Sequence, residues 1–442
     1  MVAAFLILAI FLILAVAIRF SIALWITGAV VVLIIAAMAV TTPNLPLQYG
    51  VRHVFGDVPG EILAVEDKED VLVTKILKQF PDIGGHDDIV FSKKHNCAFV
   101  TTMEGWIWKV DFSSNEAYRF FDNDSCAIGA KFSPVDDDLL LFCTGYLFGE
   151  VYDPKEAIGI VQLNVVTMEH RLVVGRVPNL PRDYAIPKGA PGTVYAGGEI
   201  SMAISEMNEQ NSHPCTFPND LDISPDGKRF YWAESCVYPG LTLGGGVMPE
   251  IITMGRNGTV WCYDSENETI SLIGRGFCFA DGIMLEYSPG QDREAAVLIT
   301  ETSKCQITRL HLSGEKAGTA EAVWSNLPAF PDGLERDEYG NVWCSLLKAR
   351  TALISTLHRI PAIKPLLLRL PPTLLNKGTC AGMIGFNHDC SKPLFYTLHD
   401  GEGINSISVC CSHDGRLYLP QFEKESRGIY SIANPLTGAV SE

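Results

Sequence analysis

One opening motif restarts six times along this 442-residue chain, and that repetition limits its fold more than any other feature. Gly85-His86-Asp87-Asp88 leads into IVFSKKHNCAFVTTMEGWIWKVDF, Ile128-Gly129 into AKFSPVDDDLLLFCTG, and Phe217-Pro218-Asn219-Asp220 into LDISPDGKRFYWAES. Phe279-Ala280-Asp281-Gly282 then opens IMLEYSPGQDREAAVLITETSKCQITRLHL, and Phe330-Pro331-Asp332-Gly333 opens LERDEYGNVWCSLL. The last unit starts at Ser406 and reads ISVCCSHDGRLYLPQFEKESRGIYSI. Short β-rich runs bounded by Gly, Pro, Asp and Asn are strands, and no long amphipathic helix interrupts them before about residue 350. Units restarting every ~40 to 90 residues predict an all-β, six-bladed β-propeller, in which each four-stranded blade covers its neighbour. A two-sheet sandwich would account for the strands but not for six restarts.

In a propeller the innermost strand of each blade begins beside the central channel, so polar residues at those starts converge on one axis. Asp87, Asn219, Asp281 and Asp332 hold that place in four of the units. Each alone reads as a turn-former ahead of a strand. Four in register offer the oxygen donors that Ca²⁺ takes, with carbonyls or water completing a shell of six to eight. Without a cation, converging carboxylates repel and hold their protons more tightly.

The first forty residues carry one charged side chain, Arg19. Phe20 to Val40 is a charge-free run of 21 residues, about 31 Å as a helix, which matches a bilayer core. Ala3 to Ile18 is a second, shorter run. A single signal-anchor within residues 1–42, a two-helix hairpin turning near Arg19, and a cleaved signal followed by an anchor all fit. The first is favoured, because no basic region precedes Ala3. The chain then divides into an anchor (1–42), a linker with the first outer strands (43–84) and the propeller (85–435). The expected location is a membrane of the endoplasmic reticulum or the cell surface, with the propeller on the lumenal or extracellular side.

Sequons at Asn123, Asn257 and Asn267 agree with that side as glycosylation sites. Thirteen cysteines show no C-x-x-C pair and no zinc spacing. Disulfides in an oxidised domain and buried thiols in strands both fit them, and Cys410 and Cys411 would point to opposite faces of one strand. A formal charge of -17 excludes a nucleic-acid binder, which needs a basic face.

The stretches FPNDLDISPDGKRFYWAES, GFCFADGIMLEYSPG and LITETSKCQITRLHLSGEKAGTAEAVWSNLPAFPDGLERDEYGNVWCSL, with the closing HDGRLYLPQF, resemble the strictosidine synthase-like family. These are six-bladed propellers related to paraoxonases and gluconolactonases. The resemblance covers about residues 55–435, and the apolar start and the GHDDIVF opening bring it nearest the membrane-bound animal branch. It implies a Ca²⁺ in the channel and, in several members, hydrolysis of aryl esters or lactones.

Matched residue by residue, Asn219 and Asp332 agree with the family's ligands. Asp87 stands where the family has Glu, and Asp281-Gly282 where it commonly has Asn-Gly. Paraoxonases carry a histidine pair in the second-blade region, but this chain has no His between His95 and His170, and Ile128 stands near the first position. The Glu that true strictosidine synthases use ahead of His-Asp-Gly is here Ser412, followed by His413-Asp414-Gly415, which argues against amine–aldehyde condensation. His86, beside Asp87, and His213, six residues before Asn219, are the remaining candidates for a general base; each alone reads more readily as a structural histidine. No G-x-S-x-G supports a serine nucleophile.

From Tyr339 to His388 there is no acidic residue, although the chain has 51. The insert 347–378 within it is basic and apolar, broken by Pro361, Pro365, Pro371 and Pro372. Such a segment lies on an anionic membrane or packs as a lid on the propeller. The sequence thus predicts a membrane-anchored, calcium-dependent hydrolase of the arylesterase or lactonase type acting on a small apolar ester. The alternative is a non-catalytic propeller whose calcium is structural and whose surface binds or adheres.

Overall fold

Apolar strands that alternate with Gly, Asp and Pro turns cannot bury both faces alone, and here they do so by stacking blade on blade around a ring. The computed structural model describes residues 28–29, 52–145, 158–180, 195–196, 200–236, 248–288, 293–360, 364, 380–423 and 425–437. Among the described residues six antiparallel blade sheets follow one another along the chain, with a two-stranded ribbon of Arg176–Pro178 and Ser212–Pro214 beside them. The first blade runs from His86–Ser92 outward through Cys97–Thr102 and Trp106–Asp111 to Glu116–Asp122. The second begins at Cys126–Ser133, the third at Pro218–Ile223, the fourth at Ala280–Tyr287 and the fifth at Ala329–Arg336. Cys411–His413, Arg416–Leu419 and Ile429–Ala433 make three strands of the sixth. The blades start where the sequence repeat places them, and the six-bladed propeller is the observed architecture.

The fourth strand of the last blade comes from the other end of the chain. Leu77–Gln79 pairs antiparallel with Ile429–Ala433, Leu77 facing Ser431. On its way there the N-terminal segment covers the outer strand of blade five: Tyr396 donates its backbone N–H to Val65, while Ile62 and Leu72 are fully buried. The outer strand expected near the N-terminus therefore closes the ring instead of beginning it.

Hydrophobic contacts complete the circle. Val90, Phe99 and Ile107 of blade one pack on Ala130, Leu140 and Phe142 of blade two, and Ile160 of blade two meets Trp232 and Trp261 of blade three. Equivalent layers join blades three and four, four and five, and five and six. Ile89 and Val100 then meet Val409 and Tyr418 across the last seam. Each fully buried large side chain contributes ~1.5–3 kcal/mol, so the seams, more than any single blade, hold the ring.

All thirteen cysteine side chains are buried. Cys410 and Cys411 do point to opposite faces, Cys410 toward Met383 and Cys411 toward Asp88. Within the insert, Thr351 caps a helix over Ala352–Arg359, and its buried His358 packs against Phe55, so this described part lies on the propeller. Among the described residues no helix is long and apolar enough to cross a membrane, and the expected anchor lies almost wholly outside them.

Candidate functional site

The first five inner strands share one irregularity. Pairing with the second strand shifts register between His86 and Asp88, Ala127 and Ala130, Pro218 and Leu221, Ala280 and Ile283, and Pro331 and Leu334. A bulge frees residues from strict alternation and re-aims their side chains. Here the bulges fall on the opening motif, and Asp87, Asn219, Asp281 and Asp332 come together as the lining of one cavity. The two residues most distant in sequence, Asp87 and Asp332, feel each other's charge there.

Hydroxyls at or just past the second strands of blades three and four, and one from the opening of blade six, fix these residues in place. Asn219 Nδ2 donates to Ser235 Oγ at 3.1 Å and to Asp281 Oδ1 at 2.5 Å, and Thr302 donates to Asp281 Oδ2 at 2.7 Å. Thr300 donates to the Asp332 carbonyl and Ser408 to that of Asp87, at 2.6 and 2.7 Å. A buried carboxylate supports each of two opening loops. Glu234 accepts the Thr216 N–H, three residues before Asn219, and Glu301 accepts that of Cys278, three before Asp281.

Burial and mutual repulsion govern the charges. Burial, then the charges of Asp88, Asp281 and Asp220, raises Asp87 well above the usual carboxylate range. Burial also raises Asp281 to about 6, although hydrogen bonds from Asp332, Thr302 and Asn219 act the other way. Burial, then the Asp281 charge, raises Asp332 well above the usual carboxylate range. The donor set is oxygen-rich and suits a hard cation better than a soft one. Among the described residues no three His, Cys, Asp or Glu side chains already stand in the array of a bound metal ion.

A second group of charges shares the channel. Asp88 and Asp220 line the cavity, and so does Glu335 of blade five. Glu335 pairs with Lys131 of blade two, whose ammonium is also held charged by Asp222, Asp88 and Asp220 against the effect of burial. The aspartates clamp adjacent blades as well. Asp88 accepts the Ala130 N–H, Asp220 that of Ile283 and Asp222 that of Leu285, at 2.8–3.0 Å. Sequence reasoning missed this set. Its signal was the doublet Asp87-Asp88, echoed in Asn219-Asp220, where the second acid faces the next blade. Where glycine takes that second position, the neighbour comes closer: a Cβ on Gly282 would lie 2.4 Å from the Asp332 carbonyl oxygen.

Neither candidate histidine is among the cavity-lining residues. His86 is fully buried with Nδ1 2.9 Å from the Gly84 carbonyl and Nε2 without a partner, and burial lowers it to about 4. His213 lies in a two-stranded ribbon with Arg176–Pro178, its Nδ1 3.0 Å from Asn179 Oδ1, and burial and Arg176 lower its pKa. Ile128 is buried in the seam between blades two and three. His413 stacks on Phe91 at 4.1 Å, and the neighbouring Ser412 hydroxyl is buried without a partner. Of the sequons, Asn267 is exposed in a turn, whereas Asn123 and Asn257 are half-buried and bonded to Ser125 and Glu250.

No family model matches the chain. It is 26% identical over 265 residues to adipocyte plasma membrane-associated protein of Salmo salar, covering 55% of this chain and 62% of that protein. It is 28% identical over 253 residues to strictosidine synthase-like protein 10 of Arabidopsis thaliana, covering 54% and 64%. The matched part thus spans less than two thirds of either relative. Among solved structures, a gluconolactonase of Xanthomonas campestris aligns with a TM-score of 0.50 at 12% identity, over 88% of this chain and 98% of that one, which is a likeness of fold. The chain is therefore similar to the strictosidine synthase-like proteins and to adipocyte plasma membrane-associated protein, on a propeller of the gluconolactonase type.

Proposed function

We propose that this protein is a membrane-anchored hydrolase of the lactonase or arylesterase type that uses a calcium ion in its central channel. The observation carrying this reading is the convergence of Asp87, Asn219, Asp281 and Asp332, from four blades, on one cavity. These four residues would hold the ion, which when bound would polarise an ester carbonyl and stabilise the developing oxyanion. The chain's own part is orientation. Ser235, Thr302 and Ser408 fix the donors, while Glu234 and Glu301 support the loops that present them. The similarity to gluconolactonase in fold and to the strictosidine synthase-like proteins in sequence supports the class.

A non-catalytic ectodomain with structural calcium is the second reading, favoured by one observation: neither His86 nor His213 lines the cavity. Hydrolysis of a panel of aryl esters and lactones by the full chain in neutral detergent, with calcium and then with a chelator, separates the two. Turnover lost on chelation while circular dichroism stays unchanged supports the hydrolase. Absence of turnover with calcium bound and the fold intact overturns it in favour of the binding reading.

A further inference from the structure

The ring places the three sequons at different ends. In blade three, Pro218 of the inner strand pairs with Glu234 and Glu234 with Thr259, whereas Arg229 pairs with Asp264 and Asp264 with Thr269. Asn257 therefore lies level with the opening motif, and Asn267 lies in the turn at the opposite end of the blade. Asn123 follows the outer strand Glu116–Asp122 and precedes the start of blade two at Cys126, so it too is at the motif end. The N-terminal segment reaches that same end: Gly56 donates its N–H to Asn326 Oδ1 at 2.8 Å, just ahead of the blade-five opening at Ala329.

Both motif-end amides are used inside the fold. Asn123 Nδ2 donates to the carbonyl and the hydroxyl of buried Ser125, each at 3.0 Å. Asn257 Nδ2 donates to fully buried Glu250 at 2.8 Å, and it sits so close over Gly255 that a Cβ there would meet it at 2.5 Å. The hydroxyl of its sequon, on buried Thr259, accepts the Trp261 indole N–H at 2.8 Å. A sugar on either nitrogen would displace these contacts and leave buried polar groups unpaired. Asn267 is different. Ser265–Glu268 form an exposed turn, bounded by the exposed ion pair of Lys228 and Glu266. Asn267 Nδ2 donates to Asp264 Oδ2 at 3.3 Å, longer than the usual N–H···O bond, and Thr269 begins the next strand at the edge of the turn. A surface turn of this kind is where an N-x-T acceptor is usable.

We propose that Asn267 carries an N-linked oligosaccharide while Asn123 and Asn257 remain bare. In the transfer, Asn267 Nδ2 forms a bond to the anomeric carbon of an oligosaccharide delivered on a lipid diphosphate. The anomeric C–O bond breaks, the lipid diphosphate leaves, and the amide proton passes to a base of the cell's lumenal transferase. The glycan then stands at the end of the ring opposite the donor cluster and the N-terminal segment, clear of the channel mouth. The proposal rests on the lumenal or extracellular placement of the propeller within the membrane-anchored reading, and not on hydrolysis.

The test expresses the full chain in cultured animal cells and reads its gel mobility before and after peptide N-glycosidase. One shift is expected in the parent, in Asn123→Gln and in Asn257→Gln, and none in Asn267→Gln. Thr269→Ala should abolish the shift and Thr269→Ser should keep it, a pattern that a merely conformational effect would not produce. Mass spectrometry after release in heavy-oxygen water should place the labelled conversion of Asn to Asp at position 267. Ala317→Asn creates an Asn-Gly-Thr sequence in the corresponding exposed turn of blade four, between Gln306–His311 and Ala320–Trp324, and serves as the control for membrane side. A bare parent beside a glycosylated Ala317→Asn variant overturns Asn267 as the site while the lumenal placement stands. No glycan on either protein overturns the placement and the proposal with it. A shift that persists in Asn267→Gln, or that disappears in Asn123→Gln or Asn257→Gln, overturns the choice of sequon.

Discussion

Asn219 donates its side-chain amide to Asp281 at 2.5 Å across the seam between the third and fourth blades, joining residues 62 apart in the chain. The same amide reaches Ser235, whose hydroxyl in turn donates to the Ala280 carbonyl at 2.6 Å. One blade's donor is therefore positioned by the next blade's opening loop. Geometry at the channel becomes a property of the seam, and a change in either strand is transmitted to the other.

Asp281→Asn should separate metal binding from folding. Burial raises the Asp281 carboxyl to about 6, so near pH 8 the folded protein must ionise it at a cost. Its contribution to stability is present at low pH and is lost as pH rises through about 6. The chelated variant at pH 8 should therefore be at least as stable as the chelated parent. Calcium at a hundredfold excess over its Kd stabilises by ~2.7 kcal/mol when it binds only the folded state, and that gain should vanish in the variant. Urea unfolding with and without calcium measures both effects. A variant that keeps the calcium gain would remove Asp281 from the ligand set.

Lys131→Met should destabilise the ring from inside the channel. The change leaves Glu335, Asp88, Asp220 and Asp222 without their shared cation. Breaking a buried pair costs ~3–5 kcal/mol, and the lower end applies because the Lys131 side chain remains 21% exposed. Glu335→Gln in the same chain should recover part of the loss, giving a coupling energy in a double-mutant cycle. Additive effects in denaturant unfolding would show that the two residues act independently.

The repeat made the ring and its four convergent donors legible, because the opening motif survives in sequence where the strands themselves vary. What remained hidden was carried by long-range pairing. Lys131 and Glu335 lie 204 residues apart, and no local pattern links them. Leu77–Gln79 falls in the stretch expected to hold the first outer strands, but which blade it joins could not be read locally, because its partner, Ile429–Ala433, lies at the opposite end of the chain. Asp88 and Asp220 drew no reading of their own, since their role depends on the N–H of the following blade. His86 sits beside a donor in sequence, yet it is buried outside the cavity lining.

Gly282→Ala should cost far more than an ordinary glycine replacement. An added Cβ would meet the Asp332 carbonyl oxygen at 2.4 Å and the Gly333 Cα at 2.7 Å, both backbone atoms of the next inner strand. Forced overpacking costs ~1–3 kcal/mol and would also displace Asp332. Gly60, at the start of a short helix with nothing within 4 Å, is the control, and Ala there should stabilise by ~0.5–1 kcal/mol. Denaturation midpoints of the two variants should move in opposite directions; equal shifts would refute close blade contact at Gly282.

Glu250 should give the protein a pH-dependent stability independent of the channel. Its side chain is fully buried, and burial raises its pKa from 4.5 to about 7, despite hydrogen bonds from the Asn257 backbone and side chain that act in the opposite direction. Because the folded value is the higher one, the folded state holds the proton more tightly between those limits. The contribution is complete below about 4.5 and falls away as pH rises through about 7. A difference of this size corresponds to ~3 kcal/mol between pH 4 and pH 8. Glu250→Gln removes the ionisation while Asn257 can turn its amide oxygen toward the new donor. The variant should therefore match the parent near pH 4, exceed it by ~3 kcal/mol at pH 8, and show a flatter profile between. Urea unfolding across that range, with calcium saturating, reads the difference directly. Parallel profiles for the two proteins would mean that Glu250 stays ionised when buried, with a counter-charge from a neighbour such as Arg256.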